Sequence, residues 1–144
     1  MRSWRRFWTL PPSDRRLTVR VAALLVATRV GLWLLPFSTV RHLLDRVARR
    51  SDTRADRTNL PARVGWVVAA VARRLPATTC LAQALAADAL LRRHGFSPHL
   101  RIGVREPDRA DGRPLDSHAW VECGGTVVVG ALDSLVSYAV LSHQ

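Results

Sequence analysis

The spacing of apolar residues changes period once, near residue 95, and that change decides the fold class. Before it, apolar residues recur every three or four positions; after it they alternate. A period of 3.6 marks helices with one buried face, and a period of two marks half-buried strands. Leu17 to Leu35 reads as a first helix, closed by Pro36. A second starts from an N-cap at Ser38 and runs to about Arg50, with Val40, Leu43, Leu44 and Val47 on one side. Leu60-Pro61 opens a third, which carries Val64, Val67, Val68 and Val71 on one face and ends near Pro76. Thr78 or Thr79 caps a fourth, which runs to about His94, with Gly95 as its C-terminal stop. HLRIGVR (His99–Arg105) and SHAWVEC (Ser117–Cys123) alternate, and Gly124-Gly125 is a two-residue hairpin turn leading into TVVVG (Thr126–Gly130). Helices followed by antiparallel strands predict an α+β fold.

With 144 residues the chain has the length of one domain, and 48% hydrophobic residues suffice for a core. Residues 1–16 read as a basic arm, with Trp4 and Trp8 among arginines and Pro11-Pro12 barring a helix. Residues 17–144 form the domain, and Arg49 to Asn59 is a charged loop within it. The net charge is +11, and every basic residue apart from the histidines is arginine. These arginines are spread from Arg2 to Arg113, whereas a nucleic-acid binder gathers its charge on one face, so no nucleic-acid partner is expected. The apolar run Val21–Phe37 is interrupted by Arg29, lacks a small-residue cleavage site and falls short of the ~20 apolar residues of a membrane span. It reads as a buried or partner-facing helix of a cytoplasmic protein, with attachment to a membrane surface as the lesser reading. Cys80 and Cys123 are too few for a disulfide scaffold, and no Cys/His cluster has zinc-ligand spacing, so neither a metal nor a cofactor is expected.

The residue that stands out chemically is Cys80, directly after the capping threonines. A helix N-terminus offers unpaired N–H groups and partial positive charge, which favour a thiolate and can hold an oxyanion. The competing reading makes Cys80 a small buried apolar residue. A thiol nucleophile needs a base. His42, His94 and His143 read as surface or helix-end residues, and His99 is a weaker candidate at a strand entry. His118 shares a strand face with Trp120 and Glu122, and Cys123 points the other way, so Cys80 is the better partner. A core histidine remains the alternative for His118. A third group should orient the imidazole. Asp133 lies just past the second hairpin strand, while Asp116 is too close in sequence to His118.

TTCLAQALAADALLRRHGFSPHLRIGV (Thr78–Val104), then SHAWVECGGTVVVG (Ser117–Gly130), resembles the transglutaminase-like branch of the papain-like cysteine peptidases. Within it, the chain is most similar to the leader peptidases of lasso-peptide biosynthesis, the B2 proteins, and RVGLWLLPF (Arg29–Phe37) looks like their N-terminal helix. The resemblance covers roughly residues 20 to 141. It implies a helical subregion over 17–58 and a transglutaminase-like catalytic core over 59–144 in which the nucleophile-bearing helix packs on a small antiparallel sheet. It implies Cys80 as nucleophile and His118 as base and acid. It also implies an Asp about a dozen residues after the histidine; Gly130 and Ala131 stand there, and Asp133 is the nearest acid. The reaction implied is hydrolysis of one peptide bond through a thioester, freeing a ribosomally made precursor from its leader. The partners implied are the precursor, a separate leader-recognition protein (B1) docking on the Leu17–Arg50 helices, and an ATP-dependent cyclase acting next. Two other classes stay open: an acyl transferase of the same fold, and a non-catalytic basic scaffold in which Cys80 is merely buried. Trp120 is expected in the core under the site, Glu122 as a structural carboxylate, and Gln83 on the helix surface.

Overall fold

The computed structural model describes residues 11–49, 59–75, 78–105, 116–131 and 139–143. Four helices precede a four-stranded antiparallel sheet among these residues: α1 (Pro12–Leu34), α2 (Phe37–Arg49), α3 (Leu60–Ala72), α4 (Cys80–Arg93), β1 (His99–Arg105), β2 (Asp116–Cys123), β3 (Thr126–Val129) and β4 (Ala139–His143). The strand order is β3-β2-β1-β4. The α+β expectation holds.

α1 begins five residues earlier than the period suggests. Pro12 does not bar the helix; it sits at the first helical position, where its missing N–H is needed by no partner, and Pro11 adopts extended backbone before it. Asp14, expected in the arm, is thereby inside the helix and pairs with Arg63 of α3. Residues 1–10 of the expected arm and most of the charged loop, 50–58, lie outside the described residues. With this extra turn α1 becomes long and apolar enough by length and composition to cross a membrane, which Val21–Phe37 alone is not. One side of it, Leu17, Val21, Leu25 and Thr28, is buried in the core. The opposite side carries Val19, Val26, Val30 and Trp33 into the open, so the helix is apolar on both faces. α2 starts at Phe37, one residue before the expected cap, and Leu43 is exposed while Val40, Leu44 and Ala48 are buried.

α4 lies at the centre. It contacts α1, α2, α3 and all three neighbouring strands β1, β2 and β3, most closely β2. Nine of its residues are buried, five of them alanine, so the helix can approach its neighbours closely from every side. On β2 the core takes Ala119 and Val121, and on β1 Leu100. α3 reaches the sheet through Gly65: a Cβ there would overlap the Val128 carbonyl oxygen of β3. His94 was expected at a solvated helix end; it is instead buried at 5% exposure. There it ends α4, with Gly95 at φ +79° turning the chain out to β1. Gly124 and Gly125, at φ +59° and +78°, make the tight turn between β2 and β3. β4 was not expected; it pairs antiparallel to β1 beyond the hairpin.

Two predictions follow from this packing. Gly65→Ala improves helix propensity by about 1 kcal/mol but drives a methyl into the β3 backbone, so the chain is destabilised, by about 1–3 kcal/mol in a denaturant titration. Asp88 is buried in α4, beside Arg92 at 3.0 Å, and burial raises its pKa above the usual 3.8 despite that partner. A carboxyl raised on folding contributes stability fully below its unfolded pKa and loses it as pH rises through the folded one. Asp88→Asn removes that loss, so its melting temperature relative to the native chain is higher at pH 7 than at pH 4.

Candidate active site

Cys80 is the first helical residue of α4. Thr79 is the cap: its backbone is extended and its Oγ1 accepts a hydrogen bond from the Ala82 N–H at 3.2 Å. Thr78 instead donates its hydroxyl proton to the Leu75 carbonyl at 3.1 Å, which ties the loop before α4 to the end of α3. With Ala82 capped and the Gln83 N–H bonded to the Thr79 carbonyl, the N–H groups of Cys80 and Leu81 precede the helical ladder. Cys80 is half-buried at the margin of the core, and neither cysteine is in a disulfide.

His118 sits on β2 opposite Gly103 of β1. Strand alternation turns Ala119 and Val121 toward the helices and His118, Trp120 and Glu122 to the other face, as expected. The His118 ring lies nearly parallel to Trp120, with centroids 6.2 Å apart and planes 15° apart. Trp120 is buried and donates its indole N–H to Glu122 at 2.9 Å. Glu122 also accepts from Arg101 at 2.9 Å. The indole hydrogen bond is the main cause that holds the Glu122 carboxyl below its ordinary pKa, with Arg101 adding to it. Glu122 is thus the structural carboxylate expected of it, and it anchors the Trp120 ring on which His118 rests.

The other edge of His118 meets the backbone. Its Nε2 lies 2.7 Å from the Gly130 carbonyl oxygen. A carbonyl can only accept, so Nε2 carries a hydrogen, and in the neutral ring Nδ1 is left as the base. Sequence reasoning marked Gly130 as a gap where an acid was expected; the signal that it is a partner was the glycine itself, since an atom of its main chain makes the bond. Asp133, the expected third group, lies outside the described residues. Asp116 bonds Arg105 across the strands at 3.1 Å.

β2 packs on α4 through Ala119 and Val121 while His118 stands on its other face, and among the described residues no hydrogen bond joins the side chains of Cys80 and His118. His99 is exposed at the start of β1, and Gln83 is half-buried one turn along from Cys80. No group of three metal-ligating side chains gathers among the described residues. Cys123 lies at the far end of β2, where burial pushes its thiol above the ordinary range. At neutral pH iodoacetamide should therefore modify Cys80 well before Cys123, read by peptide mass mapping. If the imidazole serves the thiol, His118→Gln slows Cys80 modification at pH 7 by about tenfold or more and leaves Cys123 unchanged.

Residues 22–143 match the family model described as Transglutaminase-like superfamily. No curated protein and no solved structure matches the chain. The match spans well over half of the sequence, and the chain belongs to the transglutaminase-like superfamily.

Proposed function

We propose that this member of the transglutaminase-like superfamily is a cysteine peptidase that cuts one peptide bond of a ribosomally made lasso-peptide precursor, releasing the leader. The observation that carries the reading is a thiol at the capped N-terminus of α4, in a fold whose neighbouring strand bears an imidazole bonded at Nε2. Cys80 is the nucleophile and His118 the proton carrier, through Nδ1. The thiolate attacks the scissile carbonyl carbon, and the electron pair moves to oxygen, beside the free N–H groups of the first turn. Collapse expels the leaving amine, which takes its proton from imidazolium Nδ1, and leaves the leader as a thioester on Cys80. Water, deprotonated by Nδ1, then attacks the thioester; a carboxylate and the free thiol result.

The rest of the surface supports a partner. The open row Val19, Val26, Val30 and Trp33 on α1 is where a small leader-recognition protein would dock. The +11 charge favours an acidic leader or partner through the rate and orientation of encounter more than through choice. The enzyme would work in the cytoplasm, ahead of an ATP-dependent cyclase that joins the freed amine to a side-chain carboxylate. An acyl transferase of the same superfamily shares both residues; there an amine replaces water in the second step.

Mass spectrometry of the precursor, incubated with the recognition protein and the chain, tests this. Cleavage at one bond, reduced about 10³-fold or more by Cys80→Ala, is the expected result. Cleavage that survives the substitution removes Cys80 from the mechanism. A conjugate formed with an added amine, in place of the acid, selects the transferase.

A further inference from the structure

We infer that the corner between α1 and α2 inserts into the surface of a lipid bilayer that carries anionic headgroups. This goes beyond the peptidase reading and does not depend on it. α1 and α2 approach closely at Gly31, where a Cβ would stand 3.2 Å from a Val40 methyl. Between those two residues the chain forms a tip in which residues 33–39 are all exposed. Four of them are large and apolar: Trp33 at 78% exposure, Leu34 at 64%, Leu35 at 41% and Phe37 at 44%. Pro36 makes the bend between them.

The arrangement suits a fluid more than a protein face. Trp33 and Leu34 are successive residues at the end of α1, and successive helical side chains point about 100° apart. Leu35 then leaves the helix in extended backbone, and Phe37 opens α2. The tip is therefore apolar on several sides, whereas Val19, Val26 and Val30 form a row along one side of α1. A groove or flat protein face covers a row of the second kind. Lipid closes around a tip of the first kind. The main chain at the corner is also suited to leaving water. The Leu35 N–H donates to the Gly31 carbonyl at 2.7 Å, and Pro36 has no N–H. The Pro36 carbonyl accepts from the N–H groups of Thr39 at 3.0 Å and Val40 at 3.2 Å.

The charges stand where a bilayer surface needs them. From Val30 to Val40 no residue is charged, and Arg29 and Arg41 stand at the two ends. Each is four residues from the tip, Arg29 from Trp33 and Arg41 from Phe37, about 6 Å along a helix. An interfacial element sinks about 5–10 Å into the boundary of headgroups and acyl chains, so insertion of the tip brings both arginines to the level of the phosphates. α1 and α2 together carry seven arginines against Asp14 and Asp45. Those two acids are already paired, with Arg63 of α3 and Arg92 of α4. The two helices thus present a net positive field, which attracts anionic headgroups. α1 lies on the bilayer and does not cross it: its Leu17, Val21, Leu25 and Thr28 side belongs to the core, and spanning would strip it away.

Flotation of the full chain with vesicles tests this, using phosphatidylcholine alone or with about one-third phosphatidylglycerol. The expected result is binding to the anionic vesicles about tenfold tighter or more than to the neutral ones, weakened by salt. Acyl-chain-brominated lipids should quench Trp33, read as the difference from Trp33→Phe. Leu34→Glu combined with Phe37→Glu should weaken vesicle binding about tenfold or more and leave the rate of Cys80 modification by iodoacetamide unchanged, the sign of an intact fold. No binding to anionic vesicles, equal binding to neutral ones, or an unquenched Trp33 overturns the inference. So does binding that survives the double substitution, which puts the contact elsewhere on the basic surface. A tip that holds the recognition protein or a second copy of the chain shows as a complex or dimer lost in the double variant, with no vesicle binding by the native chain, and this too overturns it. If the double variant does not fold, flotation and Trp33 quenching decide alone. Failure of the peptidase reading shows separately, as cleavage that survives Cys80→Ala, and leaves the vesicle result standing.

Discussion

The burial of α4 on all sides is the constraint on which the rest of the structure depends. A helix enclosed by three others and a sheet must present small residues almost everywhere, and α4 does so with Ala82, Ala84, Ala86, Ala87 and Ala89. Because it is central, its N-terminal end becomes a fixed point, and whatever stands there is held by the whole core. Cys80 stands there. The one ionisable residue that α4 buries deeply, Asp88, is tied by Arg92, which also reaches Asp45 of α2 at 2.6 Å, so the helix is locked against its neighbour by charge as well as by packing. Such a half-buried network does less for stability than for register, since its desolvation offsets much of its attraction.

The sheet provides the second fixed point. β2 has two faces with two tasks: Ala119 and Val121 bind the helices, while His118, Trp120 and Glu122 build a ring stack ended by an ion pair. The alternation that makes a strand amphipathic is therefore the same feature that sets the imidazole's surroundings. Function in this fold grows out of two elements whose packing is decided by ordinary core residues.

Much of this was legible before any coordinates. The change of apolar period gave four helices and a hairpin, β1 with its bounds unchanged and β2 within one residue, because both periods are strong there and glycines mark the turns. A threonine cap at Thr78 or Thr79 was readable, since such a side chain alone supplies the bond, and Thr79 is the one that does. The failures have physical causes. Pro11-Pro12 reads locally as a break, yet Pro12 suits a helix start once tertiary packing supplies the helix. His94 looks like a solvated helix end because a sequence does not show that the end of α4 is buried. β4 carries no strong alternation and depends on a free edge of β1. The partner of His118 was invisible for a different reason: a main-chain carbonyl has no letter in a sequence, and only the glycine that permits it can be read.

The proposed peptidase needs the helix-end thiol of α4 and the carbonyl-held imidazole, which stands on the face of β2 turned from the helices, to reach one substrate. A crystal structure of the chain with a leader-peptide aldehyde added bears on it most directly. The expected result is a thiohemiacetal on Cys80, its oxygen toward the first-turn N–H groups, with His118 Nδ1 in hydrogen-bond reach of the adduct and Nε2 still on the Gly130 carbonyl. An unmodified Cys80 enclosed in the core, or an imidazole out of reach of the adduct, would overturn the peptidase reading.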